Sequence, residues 1–239
     1  LQKDPDCSEA PLSATNSLIT PNRQFYVRNH FSIPQVDLPQ WALAVEGEVE
    51  HPFSLNYGEL RALPSIRLVA TLECAGNSRI SITPPIEGIP FGHGAVSTAE
   101  WEGVPLAAIL ERAGVKATAH EVVLEGADFG EEEEDGLPVN LGYARSLSLE
   151  KANAYGTLLA YKMNGEDLPS THGWPLRAIV AGWYGMASVK WLTGIRVLDH
   201  PFDGFFQIRR YVEIPVGIHP GSGTPVTTMR VKAIIVRPL

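Results

Sequence analysis

Thr71-Leu-Glu-Cys-Ala-Gly-Asn-Ser-Arg79 is the stretch on which the reading of this chain turns. Ahead of it, Arg67 to Leu72 has the composition of a β-strand that runs straight towards Cys74. The strand delivers the cysteine into a run of small residues. There Gly76 and Asn77 both tolerate left-handed backbone and so permit a tight turn. Arg79 follows, and a nearby guanidinium favours the thiolate, the form of cysteine that binds metals. A lone thiolate cannot hold a metal by itself, so a cofactor would have to bring the other ligands. The competing reading is a buried structural cysteine, one of the most buried residue types.

The chain around this loop has 239 residues, 44% hydrophobic and 19% charged, enough to bury a large core as one large domain or two small ones. A net charge of -8 argues against a nucleic-acid binder, which needs a basic face to displace counterions. It leaves room for a local basic pocket. No apolar run reaches the roughly 18 residues needed to span a bilayer. Two cysteines are too few for a disulfide framework, and Cys7, in a polar amino-terminal stretch, is given no role.

Residues 1–24 read as an irregular arm. Trp41, Leu43 and Val45 alternate as in a strand. Val104 to Ala113 reads as a helix, with Pro105 in its first turn, Leu106, Ile109 and Leu110 on an apolar face and Gly114 at its stop. Glu121 to Glu125, Arg177 to Val180 and Ile195 to Leu198 read as strands, and Asn164-Gly165 as a hairpin turn. Strands outnumber helices without a regular βαβ repeat, so the class is α+β, with mixed β-sheets and flanking helices. The acidic run Glu131 to Asp135 reads as a solvated loop and not as a cation site, since calcium loops need spaced ligands and a placed glycine. No phosphate-binding loop, HExxH or GxSxG occurs, and Gly92, Gly94, Gly221 and Gly223 give only fragments of a dinucleotide fingerprint.

The cysteine loop resembles that of the sulfite oxidase family, molybdopterin enzymes that include sulfite oxidases and eukaryotic nitrate reductases. Four more segments match in order: FYVRNH (Phe25 to His30), GAVSTAEWEGVPL (Gly94 to Leu106), HGWPLR (His172 to Arg177) and SVKWL (Ser188 to Leu192). The resemblance runs from Phe25 to about Tyr211. It implies a molybdenum–molybdopterin cofactor, with Cys74 as the protein's ligand to the metal and pterin sulfurs completing a soft ligand set. It assigns Tyr26, Val27, Arg28, Asn29 and His30 to a first cofactor segment and Asp128, in EGAD, to the pterin. His172 and Arg177 fall on the phosphate side, and Ser188, Val189 and Lys190 in a later cofactor stretch. Arg28 and Arg79 match arginines that line an anion pocket, and Tyr211 matches an active-site tyrosine. Beside it, Arg209 and Arg210 read as a solvated basic edge.

The implied reaction is the oxidation of sulfite to sulfate by oxygen-atom transfer, with a small oxyanion as substrate. Nitrate or sulfoxide reduction by the same family, or cofactor binding without turnover, are the alternatives. The two arginines speak against a neutral sulfoxide. Three departures stand out. Phe91 replaces a tryptophan common near the substrate channel, keeping an aromatic wall but losing the indole donor. No haem domain precedes the cofactor domain, so electrons would pass to a separate acceptor such as a cytochrome. The cofactor domain is read as residues 25–225, and 226–239 as the start of a dimerisation domain that is otherwise absent, so a homodimer is expected only where that domain is present. Within it Met229 to Leu239 reads as an opening strand.

Overall fold

The computed structural model describes residues 1–12, 17–215 and 223–235. The arm is ordered where it was expected to be irregular. Strands β1 (Gln2–Lys3) and β2 (Asp6–Ser8) form a hairpin, and β3 (Val27–Arg28) pairs with β2 to make a three-stranded sheet. The anchor is Cys7, which is fully buried among Phe25, Tyr26 and Phe91, so apolar burial overrides the polar look of its neighbours.

Two five-stranded sheets carry the rest. One contains β4 (Ala42–Gly47) and β5 (Phe53–Asn56), after which Asn56 caps the short helix α1 (Tyr57–Arg61) in a capping box with Glu59. The cysteine strand β6 (Ile66–Glu73) opens the other sheet and pairs antiparallel with β7 (Val96–Pro105). Helix α2 (Leu106–Ala113) starts two residues later than expected, because β7 keeps its pairing through Val104 and Pro105. Its face Leu106, Ile109, Leu110 and Ala113 is buried, and Gly114 closes it at φ 67.

Strand β8 (Glu121–Glu134) turns back into β9 (Leu137–Ser148), which leads into α3 (Leu149–Ala152). The acidic run is therefore strand rather than loop: Asp135 and Gly136, at φ 52 and 79, form a hairpin turn that pairs Glu131 to Glu134 with β9. Strands β10 (Thr157–Met163) and β11 (Glu166–Asp167) follow, joined as expected at Asn164-Gly165, φ 53 and 81. Strand β12 (Arg177–Val180) pairs with β10, and β13 (Leu192–Leu198) lies between β4 and β8. A small pair, β14 (Val212–Glu213) and β15 (Thr224–Pro225), ends the sequence of elements.

One sheet thus has the order β11-β10-β7-β6, with β12 on β10, and is antiparallel; the other has the order β5-β4-β13-β8-β9, with β4 and β13 parallel. The α+β class with mixed sheet holds. The larger core packs α2 against β4, β8 and β13, and a second cluster gathers around Trp101, Phe25 and Leu72. No helix among the described residues is long and apolar enough to cross a membrane. Met229 to Ile235 runs without strand pairing, with Val231 and Ile235 exposed, so the opening strand is not formed there. Residues 236–239 of that expectation lie outside the described residues.

Candidate active site

Strand β6 ends one residue short of Cys74, whose amide donates to the Ala95 carbonyl at 2.9 Å, so the loop starts where the ladder ends. Asn77 N–H closes a turn on the Cys74 carbonyl at 2.9 Å. The left-handed residue is Ser78, at φ 70, and not Gly76 or Asn77 as expected. Gly76 is needed for close approach instead. A Cβ there would stand 3.0 Å from the Arg79 guanidinium, and one on Gly88 2.1 Å from it. Arg79 is packed between those glycines, donating to the Ile89 carbonyl at 3.2 Å, and does not line the cleft described below.

A clamp that the sequence reading missed holds this loop. The buried carboxylate of Glu73 accepts from Asn77 Nδ2 at 2.9 Å and from Lys232 Nζ at 2.9 Å. Lys232 also donates to the Asn77 carbonyl at 3.1 Å. Lys232→Met strands a buried carboxylate, and the expected cost is about 1–2 kcal/mol, reduced from the fully buried case because the lysine is half exposed. Urea unfolding of the variant measures it; an unchanged midpoint contradicts the clamp.

Cys74 opens into a cleft lined from both sheets and from the amino-terminal sheet. Of the expected cofactor residues, Tyr26, Arg28, Asn29, His30, Asp128, His172, Arg177, Ser188 and Lys190 all line it, together with Tyr211. Val27 and Val189 do not; both are buried core residues beside the cleft. Phe91 is fully buried in the second core cluster and forms no cleft wall.

The cleft is positive. Arg177 donates to the His172 and Ser188 carbonyls at 3.0 and 3.1 Å and stacks 4.9 Å over Trp101. Lys190 donates to Asn29 Oδ1 and to the Thr171 carbonyl and sits 4.5 Å over Trp191. Among the described residues neither forms an ion pair, nor does Arg28, which donates to the Asn29 carbonyl. Burial pushes Lys190 down to about 7 and Arg177 to about 10. His172 is held to about 3 by burial and by those two cations; it donates from Nε2 to the Asn22 carbonyl at 3.2 Å.

Two polar atoms of cleft-lining residues, Asn29 Nδ2 and Asp128 Oδ1, are buried without a hydrogen-bond partner among the described residues, and burial lifts the Asp128 carboxyl to about 6. Burial also raises the Cys74 thiol, against the pull of Gly76 N–H and of the Arg28 and Arg79 charges, so the expected thiolate bias is outweighed in the protein alone. A metal would shift that balance. The donor set fits the implied cofactor: a thiol for the metal, an amide and a carboxyl for a polar ring, and two cations outside any ion pair among the described residues for a phosphate.

These shifts predict an acid-sensitive cofactor-free protein. His30 is held at about 4 and His172 at about 3, so both native rings stay neutral between those values and 6.5, while the unfolded chain takes up two protons. Asp128 acts oppositely, since the native state takes up one proton below about 6. The net uptake on unfolding is about one proton near pH 5, so stability falls on acidification by about 1.4 kcal/mol per pH unit. Urea midpoints between pH 4.5 and 6.5 check this; a flat profile contradicts it.

Around Tyr211 the structure adds residues the sequence did not point to. Tyr211 Oη lies 2.7 Å from His30 Nε2, and His30 Nδ1 lies 3.0 Å from Glu132, a member of the acidic run. The fully buried Arg145 donates to the Phe206 and Val226 carbonyls and lies 5.7 Å from the Tyr211 ring. It pins the π-helical turn Phe206–Arg210 that precedes the tyrosine. Arg209 pairs with Glu134 at the surface, as expected of a solvated basic edge.

Fold and site together define a molybdopterin-binding oxidoreductase. The family profile described as "Oxidoreductase molybdopterin binding domain" matches residues 30–206. The chain belongs to the sulfite oxidase family, whose cofactor is molybdenum–molybdopterin. It is 36% identical over 230 residues to sulfite oxidase of Arabidopsis thaliana, covering 91% of this chain and 57% of that protein. It is 37% identical over 220 residues to nitrate reductase [NADPH] of Aspergillus niger, covering 89% of this chain and 25% of that one. Among solved structures, the sulfane dehydrogenase SoxCD from Paracoccus pantotrophus superposes with a TM-score of 0.85 at 26% identity, over all of this chain and 58% of that one. The chain thus spans little more than half of the Arabidopsis relative's length.

Proposed function

We propose that this chain oxidises sulfite to sulfate, passing electrons to a separate acceptor such as a cytochrome. The observation that carries the reading is Arg28, a cleft-lining guanidinium with no carboxylate partner among the described residues, sharing the cleft with Cys74, His30 and Tyr211. Its charge is free for a small oxyanion. The similarity to a sulfite oxidase over 91% of the chain supports the same substrate.

In this reading Cys74 ligates the metal and Asn29 and Asp128 hold the pterin. His172, Arg177, Ser188 and Lys190 line its phosphate end, where two cations outside any ion pair among the described residues favour an anion. The bound cofactor supplies oxygen-atom transfer and accepts the two electrons of the oxidation. Arg28 binds and orients sulfite, lowering the entropic cost of encounter. Tyr211, held by His30, faces the same cleft and manages a proton at its hydroxyl oxygen.

The test is a substrate panel on cofactor-loaded protein. Sulfite, a sulfane-sulfur compound and a sulfoxide are compared, with nitrate tried against a reduced donor. The expected result is saturable sulfite oxidation. Arg28→Met should raise KM by about 10- to 100-fold through loss of a charge-assisted contact. Turnover of another member of the panel in preference to sulfite, or none by loaded protein, would contradict the proposal.

A further inference from the structure

The acidic run Glu131 to Glu134 lies on β8 with alternate residues on opposite faces. Glu131 and Glu133 are exposed, whereas the Glu132 side chain is 15% exposed and turns inward onto His30. Three side chains then form a line: Glu132 Oε1 to His30 Nδ1 at 3.0 Å, and His30 Nε2 to Tyr211 Oη at 2.7 Å. His30 is packed between Tyr143, stacked at 5.4 Å, and Phe206 at 4.6 Å, so the ring has little freedom to turn.

The chemistry of that line fixes which atom carries which proton. A carboxylate accepts and never donates while ionised, so the ring nitrogen facing Glu132 must carry the hydrogen. The Arg28 guanidinium also lies near this nitrogen, at 3.4 Å, but the shorter carboxylate contact selects N–H there. The hydrogen bond from His30 to Glu132 holds the carboxyl below its usual range and so keeps it ionised. With Nδ1 protonated and the ring neutral, Nε2 is an acceptor, and the donor it faces among the described residues is the Tyr211 hydroxyl at 2.7 Å. The Tyr211 hydrogen is therefore committed to His30 Nε2, and the oxygen of this cleft-lining residue keeps its lone pairs for accepting.

We propose that Glu132 is a positioning residue: by fixing the His30 tautomer it makes the Tyr211 oxygen a proton acceptor towards the cleft, with His30 Nε2 as the proton's destination. Sulfite oxidation consumes one water and yields sulfate, two protons and two electrons, the water's oxygen being the one sulfate gains on net and the electrons going to the acceptor; as an O–H bond of that water breaks, its proton passes to the Tyr211 oxygen. The tyrosine's own proton passes to Nε2, and the resulting imidazolium is paired with the Glu132 carboxylate until solvent takes the proton. The inference rests on the proposed role of Tyr211 in sulfite oxidation and adds to it a residue from outside the cleft lining.

Two variants and two readouts test it. In cofactor-free protein labelled with ¹⁵N in histidine, the native His30 ring should show a protonated Nδ1 and an unprotonated Nε2. Glu132→Ala should lose that tautomer preference, whereas Glu132→Gln should keep it, because the amide oxygen still accepts. In loaded protein, Glu132→Ala should lower kcat for sulfite by about tenfold with KM unchanged, and Glu132→Gln should recover most of it. An unchanged tautomer in Glu132→Ala overturns the positioning. A changed tautomer with unchanged kcat overturns its part in proton handling, as does equal loss in both variants. Absence of sulfite turnover in the native protein would overturn the proposed reaction instead, and the ring assignment would still be decided by the cofactor-free spectra.

Discussion

Replacing Cys74 by serine is expected to lower the proposed sulfite turnover by at least about 100-fold and to leave the fold intact. The backbone of Cys74 does the structural work: its amide and carbonyl carry the bonds to Ala95 and Asn77 that form the loop. Among the described residues the sulfur takes part in one hydrogen bond, accepting Gly76 N–H at 3.4 Å, and a serine oxygen can take its place. What serine cannot replace is a soft, polarisable donor to a redox metal. The variant should unfold at the same urea concentration as the native protein, within about 1 kcal/mol, and should retain pterin through the remaining contacts. Native-like turnover by the serine variant would leave Cys74 a packing residue.

The paired substitution Arg177→Met with Lys190→Met is expected to reduce retained cofactor by at least about 100-fold, taking roughly 1.5–3 kcal/mol for each charge-assisted contact to the phosphate. Both cations lie in the cleft with no ion pair among the described residues, and burial lowers the pKa of each. In the cofactor-free protein they are a cost, and an anion removes it. Apolar side chains of similar length leave the stacking surfaces of Trp101 and Trp191 covered. The carbonyls of His172, Ser188 and Thr171 lose donors, while two buried charges disappear, so the cofactor-free variant should remain folded. Pterin and molybdenum retained after gel filtration are the readout, with urea unfolding as the control. Retention at the native level would remove these residues from the phosphate end.

Much of this architecture was legible because the signals were local. The alternation Trp41, Leu43, Val45, the face of α2 and the Asn164-Gly165 turn each depend on neighbouring residues only, and each is where the sequence puts it. The long hairpin β8–β9 was missed although Asp135-Gly136 carries the same turn signal, because a block of like charges reads as solvated chain. Pairing with β9 and the His30 contact outweigh their repulsion. The cysteine loop was recognised, but the residue that takes the left-handed turn, Ser78, is one whose composition gives little hint of it. Its amide bond to the Gly92 carbonyl at 2.6 Å comes from a distant segment.

The candidate site divides in the same way. Cys74, Arg28 and the residues from His172 to Lys190 sit in motifs that can be read in order, and the cleft gathers most of them. Arg79 sits in such a motif yet packs between two glycines, which only the folded loop reveals. Glu132, Arg145 and Lys232 stand outside the motifs and act across separations of 61 to 159 residues, whereas Glu73 lies within the cysteine motif and binds Asn77 there, a role its place in the motif does not signal. Long-range contacts of single charged residues leave no periodic trace in a sequence.

The most direct test of the account is molybdenum content measured together with sulfite-dependent reduction of cytochrome or ferricyanide, on one preparation of the native chain from a molybdopterin-competent host. Near-stoichiometric molybdenum with sulfite turnover is the expected result. A well-folded preparation from that host with no molybdenum and no pterin would contradict the central claim, leaving Cys74 without a metal to bind.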